Sequence, residues 1–192
     1  MNENPKFVLL FCGKRKSGKD FLTEFLLKKL NNESENIASI LRLSGPLKKC
    51  YAENHNLDYS RLLDASDYKE KYRKEMITWS EKIRNQDPSY FCLKSIEMYQ
   101  GEKFPIWIIS DCRRKTDFQF FLKKYGEEKC KKVRIFASEE TRKSRGFEFQ
   151  PGIDDAESEC GLDQENCDFE IENNGNVDPE KLLEDLMKCL KI

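Results

Sequence analysis

The stretch FVLLFCGKRKSGKDF, residues 7–21, decides the fold class of this chain. Its first six residues form an apolar run typical of a buried strand, a GxxxxGK loop follows at 13–19, and a helical apolar pattern begins at Phe21. Strand, glycine-rich loop and helix in this order are the context in which GxxxxGK indicates a phosphate-binding loop. The glycines let the backbone approach an anion, and the helix N-terminus adds partial positive charge. The stretch therefore predicts a nucleotide site, and the alternative is a basic turn without a ligand.

The residues that end the loop carry its expected chemistry. Lys19 is placed to reach the β- and γ-phosphates of a nucleotide. Asp20 stands where this motif usually has Ser or Thr, whose hydroxyl binds Mg²⁺. A carboxylate also holds Mg²⁺, directly or through water, so we expect the ion to be kept with a different ligand.

Three further cations, Lys14, Arg15 and Lys16, lie inside the loop. A loop for one nucleotide does not need them, whereas a site for two phosphate compounds does, because donor and acceptor phosphates repel one another. The sequence shows no His, Cys or Ser arrangement for nucleophilic catalysis. A phosphate acceptor accounts for this, since its oxygen is already ionised at neutral pH and needs no general base.

Four more apolar segments are predicted strands, at 37–43, 105–111, 133–137 and 169–173. They lack polar alternation, as strands covered on both faces do. Helical patterns lie at 18–30, 67–84 and 179–190. A further helix is predicted to follow Asp87, which would serve as its N-cap. The stripe of Tyr68, Tyr72, Met76 and Trp79 is expected to be core packing. The order predicts an α/β fold, a three-layer α/β/α arrangement with a mostly parallel five-stranded sheet, in one domain spanning 1–192.

Polar clusters follow the predicted strands, where open parallel sheets bind ligands. Asp111, Arg113 and Arg114 come directly after the third strand, and Asp111 is a candidate Mg²⁺ ligand or, alternatively, a helix cap. Ser44 and Lys48 follow the second strand and are placed to face an acceptor.

A second basic cluster, Arg142, Lys143 and Arg145, follows the fourth strand. Arginines on a short mobile helix there are placed to close over a transferring phosphoryl group and exclude water. The alternative is a solvated basic face. Arg84, at the end of the long helix, is a weaker candidate by itself.

Composition limits the function classes. The 192 residues carry a net charge of −1, which argues against general nucleic-acid binding. Eight cysteines contain no CxxC pair, so reduced thiols in a cytosol are expected. The apolar run near the N-terminus is too short for a signal core or a membrane span, and the final LKI is not an SKL-like peroxisomal signal.

Six segments resemble the animal-type phosphomevalonate kinases in order and spacing: GKRKSGKDF (13–21), LRLSGPLK (41–48), YKEKYRKEMITW (68–79), SDCRR (110–114), SRGFEFQPGIDDAESECGLD (144–163) and IENNG (171–175). The resemblance covers nearly the whole chain, and Asp after GK is also that family's form. It implies a nucleoside-monophosphate-kinase-like fold with a phosphate loop and an arginine-bearing lid around 138–149. It also implies the reaction of ATP with (R)-5-phosphomevalonate, with Mg²⁺, to give ADP and 5-diphosphomevalonate.

The same resemblance implies roles for individual residues. ATP would be bound by Lys14, Arg15, Lys16, Ser17, Gly18, Lys19, Asp20, Arg142, Arg145 and Asn174, the last standing where His is expected. The acceptor would be bound by Lys16, Lys48, Arg84, Arg113, Arg114 and Asn173. Lys19, Arg114 and Arg145 would be catalytic, and Asp20 and Asp111 would hold the metal. The partners would be small-molecule substrates, without nucleic acid or membrane, and the protein would be a monomer.

Three alternatives stay open on the residues alone. A kinase for nucleoside monophosphates or another phosphorylated metabolite would share the fold and the loop. A nucleotide switch would usually keep Ser or Thr after the lysine and carry an NKxD motif, which the sequence lacks. A redox sensor would need an exposed thiol of low pKa.

Overall fold

One parallel sheet organises the chain in the computed structural model, which describes residues 5–31, 35–63 and 67–191. Its strands are β1 (Phe7–Cys12), β2 (Ala38–Leu41), β3 (Ile106–Ile109), β4 (Cys130–Phe136) and β5 (Phe169–Glu172). The strand order is β2-β3-β1-β4-β5, and all neighbouring pairs are parallel. The predicted five-stranded parallel sheet is confirmed, with β2 and β3 shorter than the apolar segments that predicted them.

Helices fill the connections between the strands in the described ranges. They are α1 (Lys19–Leu30), α2 (Ser44–His55), α3 (Tyr59–Leu63), α4 (Asp67–Gln86), α5 (Tyr90–Met98), α6 (Lys115–Tyr125), α7 (Glu139–Ser144), α8 (Glu157–Cys160), α9 (Pro179–Leu182) and α10 (Glu184–Leu190). A short 3-10 helix, Gly101–Lys103, precedes β3. Over these ranges, every helix is too short or too polar to cross a membrane.

The side chains of β1 alternate between two core clusters, which shows that the sheet is covered on both faces. Val8 and Leu10 pack in a cluster with residues of α6, whereas Leu9 and Phe11 pack in a cluster with residues of α1 and α10. A continuous apolar strand is what this double burial requires. The predicted three-layer arrangement is therefore confirmed.

A third, smaller cluster joins α2, α3 and α4. Tyr51, Ala52, Leu62 and Met76 are buried together there. The other aromatic residues of the α4 stripe pack against them, namely Tyr68, Tyr72 and Trp79. The stripe is core packing, as predicted.

Of two helix predictions, one needs correction. The regular helix after the proline begins at Tyr90, and Asp87 makes the expected capping contacts, because its carboxylate accepts the Ser89 N–H at 2.9 Å and its carbonyl oxygen accepts the Tyr90 N–H at 3.2 Å. The C-terminal pattern 179–190 is not one helix, because the chain turns at Leu183 between α9 and α10. The side chain of Leu183 is fully buried in the core there.

Candidate active site

The loop between β1 and α1 has the backbone conformation of an anion-binding concavity. Gly13, Lys16 and Gly18 all have positive φ, at 149°, 63° and 84°. A Cβ on Gly13 would lie 2.2 Å from the Ile135 carbonyl oxygen, and one on Gly18 would lie 2.2 Å from Asn173 Nδ2. Both positions therefore require glycine. Left-handed residues alternating with ordinary ones turn successive N–H groups toward one side, which is the arrangement that holds phosphate.

Lys19 begins α1 and is buried at the end of β3. Its Nζ donates to the Ser110 carbonyl oxygen at 2.5 Å and to Asp20 Oδ1 at 3.0 Å. Within the described residues, the buried Ser17 Oγ beside it has no hydrogen-bond partner. A buried hydroxyl without a partner is unfavourable, so a ligand oxygen would fit there.

Asp20 is exposed beside Lys19 and remains ionised. The protein atoms around Asp20 partly desolvate it and by themselves would raise its pKa, but the charge and hydrogen bond of Lys19, with the charges of Arg42 and Arg113, hold that pKa below its usual value. No group of three or more His, Cys, Asp or Glu side chains in the described ranges is arranged to hold a metal ion. One exposed carboxylate is still sufficient for Mg²⁺, which takes most of its ligands from water and substrate phosphates.

Asp111 is engaged with the start of α2. Its Oδ1 accepts the Leu43 N–H at 2.6 Å and its Oδ2 accepts the Ser44 N–H at 3.0 Å. Both are N–H groups of the first turn, which have no partner inside the helix. This contact corresponds to the capping alternative, and Asp20 is the freer of the two predicted metal ligands.

Residues 150–163, here called the acidic segment, supply carboxylates to the cations of the loop and of the β3 end. Lys14 pairs with Asp163 at 2.6 Å, Arg15 with Asp154 at 2.9 Å, and Arg113 with Glu159 at 2.8 Å. A cavity of about 220 Å³ lies between the loop, the β3 end and this segment. The block PGIDDAESECGLD, which carries no general sequence motif, thus neutralises cations that are predicted to bind phosphate.

The short helix α7 brings two arginines to the loop. Arg142 Nε donates to the Arg15 carbonyl oxygen at 2.9 Å, and its guanidinium lies 3.8 Å from the centroid of the Phe147 ring. Arg145, just after the helix, donates to the carbonyl oxygens of Lys16 at 3.3 Å and Asn173 at 2.9 Å. Lys143 of the same cluster instead pairs with Glu139 on an exposed face.

The two asparagines after β5 have different surroundings. Asn173 is buried, and its Nδ2 donates to the Ser17 carbonyl oxygen at 3.0 Å. Asn174 accepts the Ser138 N–H at 2.8 Å through Oδ1. Asn173 therefore contacts the loop itself, whereas Asn174 fixes the residue that caps α7.

Arg84 and Arg114 are buried in ion pairs between α4 and α6. Arg84 Nη1 donates to Asp117 Oδ1 at 2.7 Å, and Arg114 contacts the Glu81 carboxylate. The sequence interpretation missed both carboxylates. Asp117 could have been found, because an acid in the first turn of a helix commonly caps that helix.

Lys48, on α2, is the predicted acceptor ligand with the most altered ionisation. Burial, followed by the charge of Lys69, lowers the pKa of Lys48 to about 8. Lys48 lies near enough to Asp111 and Arg42 for their charges to act on it as well. Its charge therefore changes close to physiological pH.

Comparisons of sequence and of structure show which known proteins this chain resembles. The family model described as phosphomevalonate kinase matches residues 11–127, which include the loop, both ion-paired arginines and Asp117. A Drosophila melanogaster protein named phosphomevalonate kinase is 39% identical over 178 residues, covering 91% of this chain and 92% of that protein. Shikimate kinase from Bacteroides thetaiotaomicron is similar in structure, with a TM-score of 0.52 and 13% identity over 97% of this chain and 99% of that chain. That last similarity is one of fold alone.

Proposed function

The chain belongs to the phosphomevalonate kinase family and is a phosphotransferase, and from that premise we propose how its residues carry out the reaction. The γ-phosphoryl group of ATP passes to the phosphate of (R)-5-phosphomevalonate, giving ADP and (R)-5-diphosphomevalonate for isoprenoid and sterol synthesis. The observation that carries the proposal is the contact between the predicted acceptor arginines and the phosphate loop. Arg113, from the acceptor side, donates to the Gly13 carbonyl oxygen of the phosphate loop at 3.4 Å.

On the donor side, the loop binds the ATP phosphates through its backbone N–H groups and Lys19. Asp20 is the residue best placed to hold Mg²⁺, and Asp111 is the second candidate. Bound Mg²⁺ would neutralise charge on the β- and γ-phosphates. The loop cations Lys14, Arg15 and Lys16 reduce the repulsion between donor and acceptor, which is an electrostatic contribution that requires no proton transfer.

On the acceptor side, Arg84, Arg113 and Arg114 orient the phosphate of the substrate, together with Lys48. The attacking phosphate oxygen is ionised at neutral pH, so positioning replaces a general base. Asn173, the acceptor ligand next to the loop, donates to the Ser17 carbonyl oxygen and accepts a hydrogen bond from Arg145 of the lid.

We further propose that residues 138–149 form a lid on a single domain. Arg142 and Arg145 contact loop carbonyl oxygens, and these contacts are ones that a closing segment would use to exclude water. Monomeric state and a cytosolic location belong to the same proposal. The cytosolic location is supported by eight cysteines that are all free.

The first experiment is release of ADP from Mg-ATP with 5-phosphomevalonate, run beside AMP, CMP, GMP and UMP as acceptors. Turnover with 5-phosphomevalonate alone is the expected result. Turnover only with a nucleotide would support the phosphate-loop mechanism and exclude 5-phosphomevalonate as the acceptor. ATP binding without any turnover would support a nucleotide switch instead.

A further inference from the structure

We propose that Asp117 is a positioning residue for phosphoryl transfer, whose carboxylate orients the three arginines that receive the acceptor phosphate. The inference rests on the proposed function, because those arginines are proposed to bind that phosphate. Asp117 acts through the arginines and does not itself contact substrate.

The contacts of Asp117 reach all three arginines. Its carboxylate is fully buried in the first turn of α6. Oδ1 accepts a hydrogen bond from Arg84 Nη1 at 2.7 Å. Oδ2 accepts the backbone N–H groups of Arg113 at 2.9 Å and Arg114 at 3.1 Å. One side chain thus fixes a guanidinium on α4 and the main chain that carries the other two.

A second ion pair completes the arrangement. Arg114, three residues before Asp117, pairs with Glu81, three residues before Arg84. The two helices therefore exchange ion pairs crosswise. The Nε atoms of Arg84 and Arg114 are buried and have no hydrogen-bond partner in the described part of the chain. An acceptor phosphate would supply oxygens for such unpartnered donors.

Stability alone is a poor reason for this arrangement, because apolar residues of similar volume often stabilise a core as well as buried ion pairs do. Two acids and two bases also sum to zero charge, so the group offers a phosphate directed N–H donors rather than net positive charge. Asp117 instead contributes orientation. Loss of orientation lowers the rate of transfer more than it weakens binding, because a small misplacement of reacting groups is costly in the transition state.

The test is Asp117→Asn, which keeps a side-chain oxygen and removes the charge. Competent sites are counted by stoichiometric binding of ATP, so that unfolded protein does not enter the rate. We expect kcat per competent site to fall roughly 100-fold, with the Kd for ATP within about twofold of wild type and a smaller change in the acceptor KM. A purely structural role would lower the number of competent sites and leave kcat per site unchanged.

Leu186→Ala is the control for lost stability. Leu186 is buried on α10, in the core cluster of α1, away from the arginines. This variant should unfold more easily and keep the wild-type kcat per competent site. Asp117→Glu keeps the charge and displaces it, and an intermediate kcat is expected.

The double variant Arg84→Met/Asp117→Asn leaves neither charge buried alone, so it tests the inference even if Asp117→Asn does not fold. Asparagine keeps an oxygen for the N–H groups of Arg113 and Arg114, so the charge removed by Asp117→Asn is lost mainly toward Arg84. The double variant should therefore lose no more than about threefold beyond Arg84→Met, as expected for coupled residues. If the two substitutions lower kcat by independent factors that multiply in the double variant, the inference is overturned. A wild-type kcat per competent site in Asp117→Asn would also overturn it. If the wild-type enzyme does not phosphorylate 5-phosphomevalonate, the proposed function is wrong instead.

Discussion

Two sets of ion pairs flank the proposed site, and they differ in how their cations are held. The segment ion pairs join Lys14, Arg15 and Arg113 to the acidic segment, and the side chains of these cations are 36%, 15% and 28% exposed. The Lys14–Asp163 pair is about one-third exposed on both sides, whereas Asp154 and Glu159 are largely buried. The helix ion pairs are Arg84–Asp117 and Arg114–Glu81, and in the first of them the side chains are only 6% and 0% exposed.

The difference indicates two ways to present positive charge to phosphate. The exposed Lys14–Asp163 pair contributes little stability, so Lys14 can exchange its carboxylate for a phosphate at small cost. A buried pair is costly to break, so its arginine must keep its carboxylate and offer its remaining N–H groups. Arg145 represents a third case. Over the described ranges its hydrogen bonds go to carbonyl oxygens and to the Asn173 amide, which leave its charge uncompensated.

Stability gives the largest expected difference between the two sets. Arg84→Met leaves Asp117 buried without its cation and should lower the free energy of unfolding by about 3–5 kcal/mol. Lys14→Met breaks an exposed pair and should lower it by about 0–1 kcal/mol. Urea unfolding at fixed protein concentration measures both. Equal losses would mean that the two sets are not held differently.

Lys19→Met should give the next largest effect, on catalysis rather than on folding. Lys19 is a buried cation whose carboxylate partner, Asp20, is exposed, so its ammonium is available to phosphate. Removing one such cation should lower kcat on the order of 10²- to 10³-fold, about 2.7–4 kcal/mol. Circular dichroism and urea unfolding would check that the variant folds. Near-normal turnover with native folding would reject the phosphate-loop mechanism.

Arg145→Ala tests whether an uncompensated lid arginine acts mainly in the transition state. We expect kcat to fall about 10- to 100-fold, with the KM for the acceptor changing much less. Lys143→Ala is the matched control, because Lys143 lies in the same segment and its ion pair among the described residues is with exposed Glu139. Equal effects of Arg145→Ala on kcat and on acceptor KM would assign Arg145 to ground-state binding.

The sequence predicts the parts of this molecule that depend on local pattern. The apolar runs predicted the strands of the sheet, and the GxxxxGK motif predicted the loop that contains residues of positive φ. Both depend on residues that are neighbours in the sequence. The ion pairs are different. Arg84 lies 33 residues from Asp117, and Arg15 lies 139 residues from Asp154, so only the tertiary fold brings them together. Within 179–190 a local helical pattern still failed, because the chain turns at Leu183, whose side chain is buried in the core.

The smallest expected effect concerns Lys48, the acceptor-side cation that has no ion pair in the described residues and a pKa lowered to about 8. Besides burial, the charges that act on it are those of Lys69, Asp111, Arg42 and Arg73. As pH rises through 8, Lys48 loses its proton and the acceptor phosphate loses a cation. The KM for 5-phosphomevalonate should therefore be constant below pH 7 and rise above pH 8 by at most about tenfold per pH unit.

Lys48→Arg should abolish this rise, since arginine stays protonated throughout the range. Steady-state kinetics from pH 6.5 to about 9.5 at saturating ATP measure both enzymes, and the KM for ATP serves as the internal control. Arginine side chains are not deprotonated in proteins, so the buried ion pairs contribute no slope of their own. If the wild-type and Lys48→Arg profiles rise together, the titrating group is not Lys48, and acceptor binding depends on the ion-paired arginines alone.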